Sequence, residues 1–214
     1  MGPISGRRVM GRATSALSAA ALALALTLPA VPARAEAGVD AVRTLYATLL
    51  NMMQNGPSLG AHGRYAEIEP VVGRVFDLPL MTRLAVGPSW TALNPAQQQQ
   101  VTQAFGRYIA AVYADRFDSY SGEKLEVTGS QQSGGGTIIT SRIVKSTGEP
   151  VEINYLMRQS GAGWRIADVY LNGTISELAT RRSEFSSILQ TQGVNGLIAT
   201  LNGKAAALGA ARTS

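Results

Sequence analysis

The chain has 214 residues, 45% of them hydrophobic and 15% charged, with 19 basic and 14 acidic side chains for a formal net charge of +5. It contains no cysteine and one histidine, which removes disulfides, thiolate chemistry, cysteine-based metal sites and zinc sites of the usual kind. The positive balance is not a nucleic-acid signal. Four of the basic residues (Arg7, Arg8, Arg12, Arg34) and none of the acidic ones precede Glu36, so the rest of the chain carries only +1.

Residues 1–35 read as a secretory signal. A basic segment at Arg7, Arg8 and Arg12 is followed by an apolar run from Ala13 to Leu28, breaks at Pro29 and Pro32, and a small-x-small sequence, Ala33-Arg34-Ala35. Cleavage is expected after Ala35, and no later run is long and apolar enough to span a bilayer. One domain is expected over 36–208, with 209–214 a frayed tail.

Helical spacing begins at Val39 and runs through Val42, Leu45, Tyr46, Leu49, Met52 and Met53, ending at Asn55-Gly56-Pro57. A loop is expected next. Within it GPSLG (56–60) matches G-x-S-x-G, but no strand precedes the serine and His62 lies only four residues from it, so a nucleophile elbow is not supported. Tyr65, Ile68, Val71, Val72, Val75 and Phe76 restore helical spacing, with Pro70 as a start or kink. A short helix follows from Leu78 to Val86, closed by Gly87-Pro88. Asn94-Pro95 reads as an N-cap with proline in the first turn, opening a helix over 95–117 with a stripe of Val101, Phe105, Tyr108, Ile109 and Val112.

From Leu125 the period falls to two. Strands are expected at about 124–129, 137–145, 150–158 and 163–171, joined by short turn-like connectors that imply an antiparallel meander. In the last strand, alternation puts Trp164, Ile166, Asp168 and Tyr170 on one face and Arg165, Ala167, Val169 and Leu171 on the other. After a break at Asn172-Gly173, helices are expected over Ile175–Gln190 and Val194–Leu208. The fold class is α+β, a four-stranded antiparallel meander packed against several helices on one face.

Chemistry-bearing motifs are sparse. There is no Walker A sequence, since Gly134-Gly135-Gly136 lacks the Lys-Ser/Thr and reads as a hairpin loop. Asp168 stands among apolar neighbours, where a carboxyl could work as a general base; its alternative role is to accept hydrogen bonds at the strand-to-helix junction, together with Arg181 and Arg182. What remains is apolar surface on both layers. A filled core and a ligand cavity leave the same pattern there.

Several blocks resemble a known family. VFDLPLMTRLAVGPSW (75–90), AVYADRFDSYSGEKLEV (111–127), GEPVEINYLMR (148–158), GWRIADVYLNGTISELATRRSEFSSIL (163–189) and GVNGLIATL (193–201) are similar to the periplasmic phospholipid-binding family known as MlaC or Ttg2D. Gly173-Thr174-Ile175-Ser176-Glu177-Leu178 departs from the G-V-S-L usual there, and with ELATRRSEF is closer to the HpnM branch associated with hopanoid biosynthesis. The resemblance implies a soluble, monomeric, non-enzymatic carrier in the periplasm of a Gram-negative bacterium, with no cofactor and no metal. Its ligand would be a phospholipid or a hopanoid, held with its tails in an apolar cavity between sheet and helices. It would exchange that lipid between an inner-membrane ABC transporter complex and an outer-membrane lipoprotein complex. Tail contact is expected from Phe76, Leu80, Leu84, Phe105, Ile109, Tyr113, Ile139, Ile153, Tyr155, Val169 and Leu171. Asp168, Arg181 and Arg182 are the junction or head-group candidates. Two other classes remain open on the residues themselves: an enzyme of the small α+β cone type using Asp168, and an envelope adaptor whose apolar faces are simply core.

Overall fold

The structure, a computed structural model, describes residues 1–2, 33–161 and 163–210. The signal-peptide expectation falls largely outside the described residues, as do the last four. From residue 33 the order is α1 (Ala33–Gln54), α2 (Gly56–Val75), α3 (Leu78–Val86), a 3-10 turn (Gly87–Ala92), α4 (Pro95–Arg116), β1 (Lys124–Ser133), β2 (Gly136–Val144), β3 (Pro150–Ser160), β4 (Gly163–Leu171), β5 (Ile175–Ser176) and α5 (Glu177–Ala207).

Local chemistry sets the helix starts. Asn94 and Gln97 form a capping box on α4, the Asn94 carboxamide accepting from the Gln97 amide at 2.9 Å and Gln97 Oε1 from the Asn94 amide at 3.0 Å. Asp77 caps α3 by accepting from the Leu80 amide, and Ser176 caps α5 by accepting from the Ala179 amide. The expected loop after Gly56 is instead helical. Pro57 fits the start of α2 because it has no N–H to leave unpaired there, and the only break is at Gly60, with φ 61° and ψ 179°. Pro70 sits inside α2 without a break.

α5 is one element only by name. A straight helix would put residues 184 and 204 about 30 Å apart, yet Lys204 Nζ bonds the Glu184 carboxylate. The chain folds back at Gly193, whose φ of 66° and ψ of −171° suit glycine alone. The two helices expected on either side of Val194 are therefore both present, packed against each other. Gly209 and Ala210, expected to fray, close the second one: Gly209 has φ 90°, and the Ala210 amide donates to the Ala205 carbonyl.

The sheet is antiparallel with strand order β1-β2-β3-β4-β5, so it has five strands, not four. The fifth is the pair Ile175–Ser176, which the helical spacing of 175–190 conceals. Asn172 (φ 49°) and Gly173 (φ 75°) make a tight turn, closed by the Thr174 amide on the Leu171 carbonyl, that returns the chain beside β4. Across the sheet, Ile139, Tyr155 and Val169 are directly paired, so they share a face.

β4 also carries a bulge. Asp168 pairs with Leu156 but Ile166 pairs with Met157, leaving Ala167 as the extra residue. Parity flips there. Ile166 shares its face with Val169 and Leu171, while Asp168 and Tyr170 turn to the other, correcting the expected alternation. Among the described helices α1, α2, α3 and α5 contact the sheet, α4 packs on α2, α3 and α5, and the core between the layers includes Leu45, Leu49, Met52, Ile68, Ile139, Met157 and Ile166.

Candidate functional site

The two layers do not close fully. A cavity of about 330 Å³ lies between them, at the end of the sheet where β3 begins and β4 finishes. α4 supplies Phe105, Tyr108, Ile109, Val112 and Tyr113; β3 supplies Val151, Ile153 and Tyr155; β4 supplies Val169 and Leu171. Phe76, Met81, Phe117 and Leu178 complete the apolar wall, and the polar lining is confined to Arg116, Asn172, Glu177 and Arg181 besides the tyrosine hydroxyls.

Aromatic packing holds the α4 side open. Tyr113 stacks on Phe117 (centroids 5.8 Å, 11° between planes) and tilts against Phe76 at 5.8 Å, while Phe105 meets Phe185 of α5 edge-on at 5.3 Å. These rings brace α4 from both sides, so smaller side chains at Ile109 and Val112 leave space rather than a collapsed core.

Arg181 is fixed at the lining. It bonds Glu177 at 3.2 Å and Glu184 at 3.1 Å, and its guanidinium carbon lies 5.2 Å from the Tyr108 ring centroid. Burial opposes its charge, but Tyr108, Glu184 and Glu177 together raise its pKa above the ordinary arginine value. For Glu184 burial likewise opposes the charge, and hydrogen bonds from Lys204 and Arg181 hold its pKa below the usual carboxylate value. Arg182 points elsewhere, against Gly87, where an added Cβ would stand 3.2 Å from its Nε.

Asp168 is 7% exposed and absent from the cavity lining. Oδ1 accepts from the amides of Val169 (2.7 Å) and Leu178 (3.1 Å), and Oδ2 from the Ser176 hydroxyl (2.6 Å). It ties β4 to the first turn of α5. Among the described residues no cluster of histidine, cysteine and carboxylates could hold a metal, and no helix is long and apolar enough to cross a membrane.

Of the residues expected at a ligand, Phe76, Phe105, Ile109, Tyr113, Ile153, Tyr155, Val169 and Leu171 line this cavity. Leu80, Leu84 and Ile139 do not. α3 buries Met81, Thr82, Ala85 and Val86, which turns Leu84 out to 37% exposure, and Ile139 packs under α1 near Gly38. Tyr108, Val112 and Val151 are lining residues that the α4 stripe and the β3 alternation contained but did not single out. Arg116 and Phe117, at the end of α4, had no sequence signal pointing inward.

The profile of the MlaC protein family matches residues 43–203. A solved structure from Ralstonia solanacearum, described as a phospholipid-binding protein in complex with a phospholipid, superposes with a TM-score of 0.68 at 22% identity. The match covers 79% of this chain and 97% of that one, and shows a shared fold. The family profile runs from α1 to the back-folded half of α5, taking in every wall of the cavity, and on that match the chain belongs to the MlaC family.

Proposed function

We propose that this protein is a periplasmic lipid carrier and not an enzyme. The observation that carries the reading is the apolar cavity walled by both layers, in a chain of the MlaC family whose structural relative is described as holding a phospholipid. Keeping acyl chains out of water is worth about 0.8 kcal/mol per CH₂, so an unassisted lipid does not cross an aqueous compartment at a useful rate, and a mobile apolar container offsets that cost. At about 330 Å³ the cavity stands at the small end of ligand sites. In this reading the residues named above as lining it hold tails, the head group lies at the polar rim near Arg116, Asn172 and Glu177, and Arg181 is braced there by its two carboxylates.

The carrier acts as a monomer, a single domain over 36–208 released after cleavage of the signal at Ala35. It passes a phospholipid, or a hopanoid, between an inner-membrane ABC transporter complex and an outer-membrane lipoprotein complex. Asp168, with its acceptor positions filled by the strand-to-helix junction, serves structure rather than proton transfer.

Mass spectrometry of the mature protein, purified from the periplasm without detergent and measured both native and after organic extraction, tests this. A stoichiometric diacyl phospholipid is the expected result. A hopanoid would keep the carrier and change its cargo. A folded protein with no lipid, which also takes none up from vesicles, would overturn the reading.

A further inference from the structure

A second cavity, of about 430 Å³, lies at the opposite end of the sheet, between the tip of the β1–β2 hairpin, the end of β3 and the start of β4. At a strand's rise per residue it stands roughly 20 Å along β3 from Ile153 in the acyl cavity. Gln132, Ser133, Thr137, Arg158, Gln159 and Trp164 supply its side chains, and Arg158 is the one charged group among them.

The two ends of this sheet handle charge differently. On the face turned away from the core, Arg142 stands between Glu126 and Glu152 and bonds Glu126 at 2.8 Å. By register Arg158 shares that face, but its direct neighbour on β4 is Arg165. Like charges opposed across an antiparallel pair cost stability. Among the described residues neither arginine has a carboxylate partner, and Arg165 Nε is buried without any hydrogen bond. Arg158 is also held in place. A Cβ added at Gly135 would stand 3.1 Å from its Nη2, so the guanidinium lies across the hairpin where another residue's side chain would be.

The rest of the lining offers donors. Trp164 carries an indole N–H, which can only donate. Thr137, 1% exposed, accepts from Gln132 Nε2 at 3.3 Å, and no described residue takes its own proton. Ser133 and Gln159 add a hydroxyl and an amide, and no carboxylate lines the cavity. A cation without a counter-charge, surrounded by N–H and O–H groups, suits an oxyanion. Phosphate, with three terminal oxygens, takes up more of these donors than a carboxylate does.

We propose that this cavity is a second binding site, for a phosphate group, with Arg158 as its anchor and Arg165 beside it raising the local positive potential. The group is either free phosphate or a phosphate monoester on a lipid head group at a bilayer surface, since both present the same oxygens. The site is separate from the acyl cavity, so the inference does not rest on the carrier reading.

The test is a titration of ¹⁵N-labelled mature protein with sodium phosphate at neutral pH, with ionic strength held constant by sodium chloride. It is read by NMR at the Arg158 Nε–H and the Trp164 indole. Saturable shifts at both are expected. Arg158→Gln should weaken the affinity about ten- to a hundredfold, the worth of a charged hydrogen bond. Arg158→Lys, which keeps the charge and loses the planar fork, should recover part of it, and Arg165→Gln should weaken it severalfold. A second arm sediments the protein with phosphatidylcholine vesicles, with and without phosphatidic acid, whose head group is a bare phosphate monoester. Arg158-dependent binding to phosphatidic acid assigns the site to a membrane source, and saturable shifts without it assign the site to free phosphate. If neither probe binds in an Arg158-dependent way, or if sodium acetate moves the same resonances at the same concentrations, the inference is overturned. Arg158→Gln should load lipid as wild type does; loss of loading in the folded variant would place Arg158 in the acyl site and overturn the inference as well.

Discussion

Two side chains on β4 show how one residue can hold an element or burden it. Asp168 collects a hydroxyl and two amides, one of them from the first turn of α5, on one buried carboxylate. Asp168→Asn turns an amide N–H toward a donor and breaks at least one charge-assisted bond, so a loss of about 1.5–3 kcal/mol is expected in urea denaturation. Lipid carriage by the folded fraction should be unchanged, whereas loss of carriage at full stability would return Asp168 to the site. Arg165 is the opposite case. It pairs directly with Arg158, and its Nε is buried with no hydrogen-bond partner. Arg165→Leu removes both penalties and is expected to stabilise the fold by about 1 kcal/mol; an unchanged or lower midpoint would show that the guanidinium contributes more than it costs. The sequence exposed Asp168 as unusual, through its apolar neighbours. It could not reveal that Ser176 and the Leu178 amide converge on it, because that depends on the turn at Asn172-Gly173, which brings Ser176 back from eight residues away.

Elements were most legible where chemistry is local. The Asn94 cap, the short α3 and the hairpins of the sheet all follow from nearby residues. What strict periodicity could not supply was the exception to period. Ala167 adds one residue to β4 and flips every side chain that precedes it, so alternation alone mis-sorted Ile166. Gly193 similarly turns one helical pattern into two packed rods. Nothing within 4 Å would obstruct a Cβ there, so Gly193→Ala isolates the backbone cost, expected at about 1–3 kcal/mol in chemical denaturation. A neutral result would mean that the turn tolerates another conformation. The contact between the rods is charged. Because hydrogen bonding holds the Glu184 pKa below its unfolded value, Glu184 adds stability above the unfolded pKa, and that stability is lost as pH falls through the folded one. Glu184→Gln should therefore flatten the acid side of the stability–pH curve and lower stability at neutral pH; an unchanged acid limb would remove the ion pair from the account.

For the whole molecule, the sequence conveyed the layers and the family-like blocks but not the gap between them. A stripe of Phe105, Ile109 and Tyr113 reads the same whether it meets side chains or space, and only the bracing rings at Phe76, Phe117 and Phe185 decide which. Ile153→Asp with Leu171→Asp, both at half-buried lining positions, is expected to abolish lipid loading while circular dichroism and the thermal midpoint stay near wild type. Full loading of that double variant would place the lipid elsewhere. The cavity also imposes an order in time. Its α4 wall is complete at Arg116, but the first turn of α5 that closes it is backed by a rod ending at Ala207, 91 residues further on. At about 5–20 residues per second of synthesis, the greasy side of α4 waits roughly 5–20 seconds for its cover. A chain built this way can accept its cargo only after its last helix has arrived.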